Sequence, residues 1–206
     1  MPGSSRQLAA IMYTDIVGYT SMMQKDEPGT LLRLEEHRNI LEKTAGEHFG
    51  YVQQYFGDGS LIIFNSVFNA ILCSIKIQEH SGKAGVPLRI GMHVGEILIK
   101  DGVIFGDGLN IASRIESLGV RGSILISESV YEQIHNQPDI KVKALGRFKL
   151  KNVQFPVKIF SVTNNGFPAP EKAQIRMNSK SNKKCRPFRS LRVIFNSMSN
   201  LMWKKE

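Results

Sequence analysis

Short apolar runs of strand length alternate with longer helix-like segments through most of this 206-residue chain, and this alternation constrains the fold more than any single motif. Seven segments predict strands: residues 8–14, 51–55, 60–64, 123–126, 140–150 and 156–162, and residues 87–100, which predict two strands broken near Gly95. Four segments predict helices: residues 29–48, 66–80, 107–118 and 127–134. Because hairpins are frequent among the strands, we expect an α+β fold with a largely antiparallel sheet flanked by helices.

The segment 29–48 is amphipathic and predicts a helix with one buried face. The aliphatic residues assigned to that face are Leu31, Leu32, Leu34, Ile40 and Leu41. Four scattered histidines are predicted to lie on the surface: His37, His48, His80 and His135. His93 lies within an apolar run without a Cys or His cluster, so we expect a structural role rather than metal binding.

Composition narrows the class of protein. An apolar fraction of 42% is ample for a buried core, and the length suits one domain plus an extension. No apolar run reaches the ~20 residues that span a bilayer, and the N-terminus lacks the apolar stretch of a signal peptide. Cys73 and Cys185 are far apart, so we expect reduced thiols and a cytoplasmic chain.

Positive charge is concentrated near the C-terminus. Residues 171–206 contain ten basic and two acidic side chains, so they carry +8 of the net charge of +9 and residues 1–170 carry +1. A nearly neutral main domain does not favour nucleic-acid binding, and we expect no nucleic-acid partner.

Turn formers and prolines at residues 164–170 predict a boundary between a domain at 1–165 and a basic, flexible extension at 166–206. Residues 171–187 are polar and basic and predict disorder, whereas residues 188–203 regain a helical pattern with one apolar stripe. Three interpretations of the extension stay open: a solvated segment, a peripheral contact with an anionic membrane, or the start of a longer architecture.

Two aspartates at predicted strand ends suggest a metal site. Asp15 follows the run 8–14, and Asp58 lies in the turn between the runs 51–55 and 60–64. If these strands are neighbours, the carboxylates converge, and carboxylate pairs together with phosphate oxygens hold Mg²⁺ in proteins. Aspartate also favours turns for local hydrogen bonds, so the pair alone is weak evidence for metal-assisted chemistry on a nucleoside triphosphate.

A third segment, 104–118, contains Asn110 and Arg114, whose spacing puts both side chains on one helix face. An exposed polar stripe is the alternative interpretation of this pair. Five blocks together resemble, in the family's order, the catalytic domain of the class III nucleotidyl cyclases, the adenylyl and guanylyl cyclase family: YTDIVGYT (13–20), FGDG (56–59), RIGMHVGE (89–96), FGDGLNIASR (105–114) and GSILIS (122–127).

The resemblance implies a ferredoxin-like cyclase homology domain, in which the ribose 3′-hydroxyl attacks the α-phosphorus of a nucleoside triphosphate and pyrophosphate leaves. It implies that Asp15, Ile16 and Asp58 hold two divalent ions, Mg²⁺ or Mn²⁺. In a homodimer with shared sites, Asn110 of the second subunit would position the ribose and Arg114 would stabilise the α-phosphoryl group. The backbone that would hold the phosphates belongs to Ile16, Val17, Gly18, Tyr19 and Thr20.

Two positions that the resemblance implies for base recognition carry unusual residues. The first is Gln54, whose amide donates or accepts hydrogen bonds and so suits adenine or guanine. The second is Val103, whose side chain forms no hydrogen bonds. We expect ATP as the substrate, as in most prokaryote-like single-domain relatives, with GTP or mixed specificity as the alternative. A degenerate domain that binds a nucleotide or a partner without turnover is a second alternative, disfavoured because all four implied catalytic and metal-binding side chains are present.

Overall fold

The computed structural model describes residues 5–181, with side chains through residue 178. Eight strands of this part form one sheet: β1 (Ser5–Ile16), β2 (Gly50–Phe56), β3 (Gly59–Phe64), β4 (Leu88–Lys100), β5 (Val103–Phe105), β6 (Ile124–Ser127), β7 (Val142–Phe148) and β8 (Val157–Val162). The α-helices are α1 (Tyr19–Lys25), α2 (Glu27–Glu47), α3 (Val67–Lys83), α4 (Asp107–Leu118), α5 (Glu128–Ile134) and α6 (Lys172–Ser181).

The sheet has the strand order β2-β3-β1-β4-β6-β8-β7, and β5 pairs with the end of β4. Neighbouring strands are antiparallel except for β4 and β6, which are parallel. The prediction of an α+β fold with a largely antiparallel sheet flanked by helices is therefore confirmed.

Strand β4 is continuous over 13 residues, so the predicted break near Gly95 is wrong. Gly95 lies where α4 crosses the strand, and a Cβ there would be 3.1 Å from the Cα of Gly108. The glycine therefore permits close packing rather than ending the strand. The chain reverses after β4 at Asp101 and Gly102, whose φ angles of 50° and 74° suit a two-residue hairpin turn into β5.

Alternating residues of β1 face two apolar layers, as the pleat of a strand requires. Ala10 and Met12 belong to the core layer formed with α2, α3 and α5, whereas Ala9 and Ile11 pack with Ala112 of α4. Helix α4 therefore lies on the opposite face of the sheet from α2 and α3.

The buried face of α2 differs from the predicted one. Leu31 and Leu32 are 47% and 68% exposed, whereas the predicted surface residue His37 is only 1% exposed. Burial, and to a lesser degree the charge of Arg38, lowers the pKa of His37 to about 4, so its imidazole is neutral at neutral pH. The buried stripe still has helical spacing and consists of Thr30, Leu34, His37, Leu41, Thr44 and Ala45. Three of these residues, Thr30, His37 and Thr44, are polar.

Helix α6 packs on α4, so the predicted disorder of residues 171–187 is wrong for residues 172–181. The Gln174 side chain accepts a hydrogen bond from the backbone N–H of Glu171 (2.9 Å), which satisfies a free donor at the start of the helix. Ile175 is fully buried in an apolar cluster with Ile115 and Leu118 of α4. The predicted domain end at residue 165 thus falls before a helix that packs on the domain, and the predicted stripe at 188–203 lies outside the described residues.

Candidate active site

Asp15 and Asp58 lie close together at the ends of neighbouring strands. β1 and β3 are antiparallel with Thr14 opposite Ser60, and the hydroxyl oxygens of these two residues are 2.6 Å apart in a buried hydrogen bond. Asp15 follows Thr14, and Asp58 lies in the turn that leads into β3. The structure therefore brings the two aspartates together, as expected if their strands are neighbours.

The proximity of Asp15 changes the chemistry of the Asp58 carboxyl group. Burial and the negative charge of Asp15 raise the pKa of Asp58 to about 6, although the backbone N–H of Ile16 donates a hydrogen bond to the Asp58 carboxylate. A shift in this direction is typical of two carboxylates that share one site. Because a divalent cation between them would relieve the repulsion, and because Mg²⁺ and Mn²⁺ prefer oxygen ligands, the donor set fits these ions.

The site provides only part of a coordination shell. Within residues 5–181, no three His, Cys, Asp or Glu side chains cluster as a ready-made metal site. Ions held by Asp15 and Asp58 would therefore need further oxygen ligands, and phosphate groups and water supply these in many nucleotide-binding sites.

Arg89 and Glu116 complete a charged cluster beside Asp15. Arg89 lies opposite Asp15 in the β1–β4 pairing, and its Nη2 and Nε donate to Oδ2 of Asp15 at 2.6 and 3.1 Å. The same guanidinium forms an ion pair with Glu116 of α4. Burial raises the pKa of Glu116 above its usual range, and the charge of Arg89 offsets part of this effect.

Sequence reasoning missed Arg89 and Glu116 as site residues. Their signals were a charged residue near the start of an apolar strand and a glutamate on the same helix face as Ala112 and Ile115. Both signals become specific only when the pairing of β1 with β4 and the position of α4 are known.

Close approach of α4 to β4 brings Glu116 into the site. A Cβ at Gly91 would collide with the backbone nitrogen of Glu116, so a glycine is required at this crossing. Gly91 and Arg89 are two residues apart on β4 and therefore face the same side of the sheet. This geometry explains why Arg89 meets a side chain of α4.

Asn110 and Arg114 lie one turn apart on α4, as predicted, but on a different side of the helix from Glu116. Among residues 5–181, no hydrogen bond or ion pair joins either side chain to Asp15 or Asp58. The Nε of Arg114 is buried without a hydrogen-bond partner in this part of the chain. Within the described part of one subunit, the polar pair on α4 therefore makes no direct polar contact with the two aspartates.

The predicted phosphate-binding backbone is partly occupied. The N–H of Ile16 donates to Asp58, and the N–H of Val17 donates to the carbonyl oxygen of Pro87 at 2.7 Å. Gly18, with a φ of 80°, precedes α1, and Tyr19 and Thr20 begin that helix.

The two predicted base-recognition positions lie on segments that contact each other. Gln54 is in β2, directly after a bulge in the β2–β3 pairing, and Val103 begins β5. The Nε2 of Gln53 donates to the carbonyl oxygen of Gly102 at 3.2 Å, which ties β2 to the β4–β5 turn. Both Gln54 and Val103 are half-buried.

Residues 2–164 match the family model of the adenylate and guanylate cyclase catalytic domain. The chain belongs to this family. The resemblance found in the five sequence blocks is thereby confirmed, and helix α6 lies beyond the residues that the family model matches.

Two curated relatives carry adenylate cyclase names. The cyclase domain is 36% identical over 165 residues to "Putative adenylate cyclase 3" of Rhizobium meliloti (strain 1021), a match that covers 76% of this chain and 28% of that protein. It is 27% identical to an adenylate cyclase of Anabaena cylindrica, over 77% of this chain and 37% of that protein. The chain therefore spans about a third of the length of these two relatives.

Solved structures share the fold. The adenylyl cyclase CyaB from P. aeruginosa superposes with a TM-score of 0.73 at 21% identity, over 79% of this chain and 97% of the other. An adenylate/guanylate cyclase/hydrolase from Silicibacter pomeroyi has the same TM-score at 27% identity, over 81% of this chain and 100% of the other. No helix of residues 5–181 is long and apolar enough to cross a bilayer.

Proposed function

We propose that this cyclase domain is an adenylate cyclase that converts ATP to 3′,5′-cyclic AMP and pyrophosphate in intracellular signalling. The observation that carries the proposal is the convergence of Asp15 and Asp58 at the ends of β1 and β3 in a member of this family. The choice of ATP is supported by the adenylate cyclase names of the relatives from Rhizobium meliloti and Anabaena cylindrica.

In this reaction the ribose 3′-oxygen forms a bond to the α-phosphorus, the bond to the pyrophosphate oxygen breaks, and the hydroxyl proton passes to solvent. Asp15, Asp58 and the backbone of Ile16 would hold two divalent ions, which when bound neutralise the phosphates and favour loss of the hydroxyl proton. Arg89 places a permanent positive charge beside Asp15, where it would offset phosphate charge. The other backbone N–H groups proposed to bind phosphate, those of Gly18, Tyr19 and Thr20, lie at the start of α1.

The proposed enzyme is a homodimer with shared sites, as the family resemblance implies, and no hydrogen bond or ion pair within residues 5–181 joins Asn110 or Arg114 to the aspartates of the same subunit. Asn110 would orient the ribose bound at the aspartates of the other subunit. Arg114 would stabilise the negative charge that gathers at the α-phosphoryl group, since its planar guanidinium is always charged.

A guanylate or mixed-specificity cyclase is the second candidate, because Gln54 does not discriminate between the two bases. Its amide can donate to a guanine oxygen or accept from an adenine amine, and it adds no charge that would favour either base. A domain that binds a nucleotide or a partner without turnover stays the third candidate. Cytoplasmic location and membrane contact through the basic C-terminal residues remain predictions.

The deciding experiment measures product formation by the purified full-length chain from ATP and from GTP separately, with Mg²⁺ and then with Mn²⁺. We expect cyclic AMP from ATP, and we expect Asp15→Ala and Asp58→Ala to abolish it because each change removes a metal ligand. Cyclic GMP alone would reverse the proposed specificity. No product from a confirmed dimer with either ion would favour the non-catalytic candidate.

A further inference from the structure

Helix α6 holds the C-terminal end of α4 through a specific polar contact. The side-chain amide nitrogen of Asn178 donates to the carbonyl oxygen of Leu118 at 3.1 Å and to that of Gly119 at 3.0 Å. The last carbonyls of a helix have no partner within the helix, so Asn178 supplies the hydrogen bonds that the end of α4 lacks.

An apolar contact reinforces the polar one. Ile175 lies one turn before Asn178 on α6 and is fully buried against Ile115 and Leu118 of α4. Through these two contacts, neighbouring turns of α6 pack against the last turn of α4. The family match ends at residue 164, so this packing comes from a segment outside the matched domain.

We propose that Asn178 and Ile175 are positioning residues for the reaction, because they set the placement of α4 and thereby of Asn110 and Arg114. This inference rests on the proposed function of α4 as the donor of catalytic groups to the second subunit. Arg114 is one turn, about 6 Å, from the carbonyl oxygens that Asn178 binds. A displacement of that turn therefore moves the guanidinium away from the α-phosphoryl group, and misplacement by ~1 Å costs up to about 100-fold in rate.

A mixed dimer separates this role from a general effect on folding. One full-length chain carries Asp15→Ala and keeps Asn110 and Arg114, and the other carries Arg114→Ala and keeps both aspartates. Two affinity tags isolate the pair, which contains one intact site built from the aspartates of the second chain and α4 of the first. Asn178→Ala is then added to either chain in turn.

We expect Asn178→Ala to lower kcat at least ~10-fold when it lies on the chain that donates α4. The same change on the chain that donates the aspartates should lower kcat clearly less, because it reaches Asp15 only through the ion pair of Glu116 with Arg89. KM for ATP should stay unchanged when the change lies on the chain that donates α4. Met177→Ala on the donating chain is the matched control, because Met177 is 71% exposed on the same helix. Equal losses from both placements, or no loss from either, would overturn the inference.

Hydrogen exchange provides a readout that needs no activity. In the full-length chain, Asn178→Ala should accelerate exchange of the backbone N–H groups of residues 115–119 and leave β1 and β3 unchanged, whereas Met177→Ala should change neither. Unaltered exchange at residues 115–119 would refute the inference that Asn178 of α6 stabilises the end of α4. If the mixed dimer without Asn178→Ala is confirmed to form but is inactive, the shared site of the proposed function is refuted. The exchange data still decide whether Asn178 stabilises the end of α4.

Discussion

Burial shifts the pKa values of Asp58 and His37 in opposite directions, because it penalises the charged form of each group. The raised pKa of Asp58 reflects a repulsion with Asp15 that a bound cation would relieve. The lowered pKa of His37 keeps a neutral imidazole in the core beneath α2, without a hydrogen-bond partner among the described residues. The shift of Asp58 therefore bears on cation binding at the site, and the shift of His37 bears on the stability of the folded chain.

His37 should make the folded chain sensitive to acid. Its pKa is about 4 when folded, below the ordinary value of 6.5 expected in the unfolded chain, so the unfolded chain binds more protons as the pH falls. The stability due to the neutral imidazole is therefore complete above about pH 6.5 and is lost progressively toward pH 4. Between pH 7.5 and 5 this loss amounts to roughly 2 kcal/mol in the free energy of unfolding.

Urea unfolding of wild type and His37→Leu at both pH values measures this contribution. The variant should lose less stability on acidification than wild type by the stated amount, whatever its absolute stability. His80→Gln, at an exposed position on α3, is the control and should retain the wild-type pH dependence. An identical pH dependence in wild type and His37→Leu would contradict the prediction.

Helix α2 fixes the turn that carries Asp58. Arg38 donates from Nη2 to the carbonyl oxygen of Gly57 at 3.0 Å, and its guanidinium lies 4.6 Å from the ring centroid of Tyr55. The hydroxyl of Tyr55 donates in turn to Glu42 on the same helix at 3.0 Å. These contacts join α2 to the end of β2 and to the turn at Gly57, the residue directly before the proposed metal ligand Asp58.

Arg38→Met should weaken metal binding without removing a metal ligand. Loss of a residue that orients a ligand typically costs 10–100-fold in metal affinity, so the Mn²⁺ concentration for half-maximal turnover should rise by at least ~10-fold. At saturating Mn²⁺, kcat should recover most of its wild-type value. Arg33→Met, on an exposed position of α2, should change neither quantity, and equal behaviour of the two variants would refute the role of Arg38.

Sequence patterns predicted those helices and hairpins whose formation depends on residues close together in the chain. The hairpin around Asp58 was visible because Gly57 and Gly59 flank it between two apolar runs, and helix α4 was visible from its spacing. The ion pair of Arg89 with Asp15 was not visible, because it joins residues 74 positions apart and depends on which strands pair. Helix α6 was missed because a polar composition outweighed the one buried side chain of Ile175.

The proposed site takes its aspartates from one subunit and its Asn110 and Arg114 from the other, so the dimer is the proposed catalytic unit. Neither Asp15→Ala nor Arg114→Ala alone leaves an intact site in a homodimer. Random mixing of equal amounts yields mixed dimers as half of the population, each with one intact site, so about a quarter of wild-type activity should return. Cyclic AMP production after subunit exchange measures this recovery, and a mixture that stays inactive although mixed dimers form would exclude shared sites.

Helix α4 contributes Glu116 to the charged cluster of its own subunit and, in the proposed dimer, Arg114 to the site of the other. A nucleotide that draws Arg89 away from Glu116 in one site therefore acts on the same rigid helix that serves the second site. Such a connection is a free energy of coupling, so the first and second nucleotides would change each other's affinity by the same factor. The crossing of α4 over Gly91 would then couple the affinities of the two sites of the proposed dimer for its substrate.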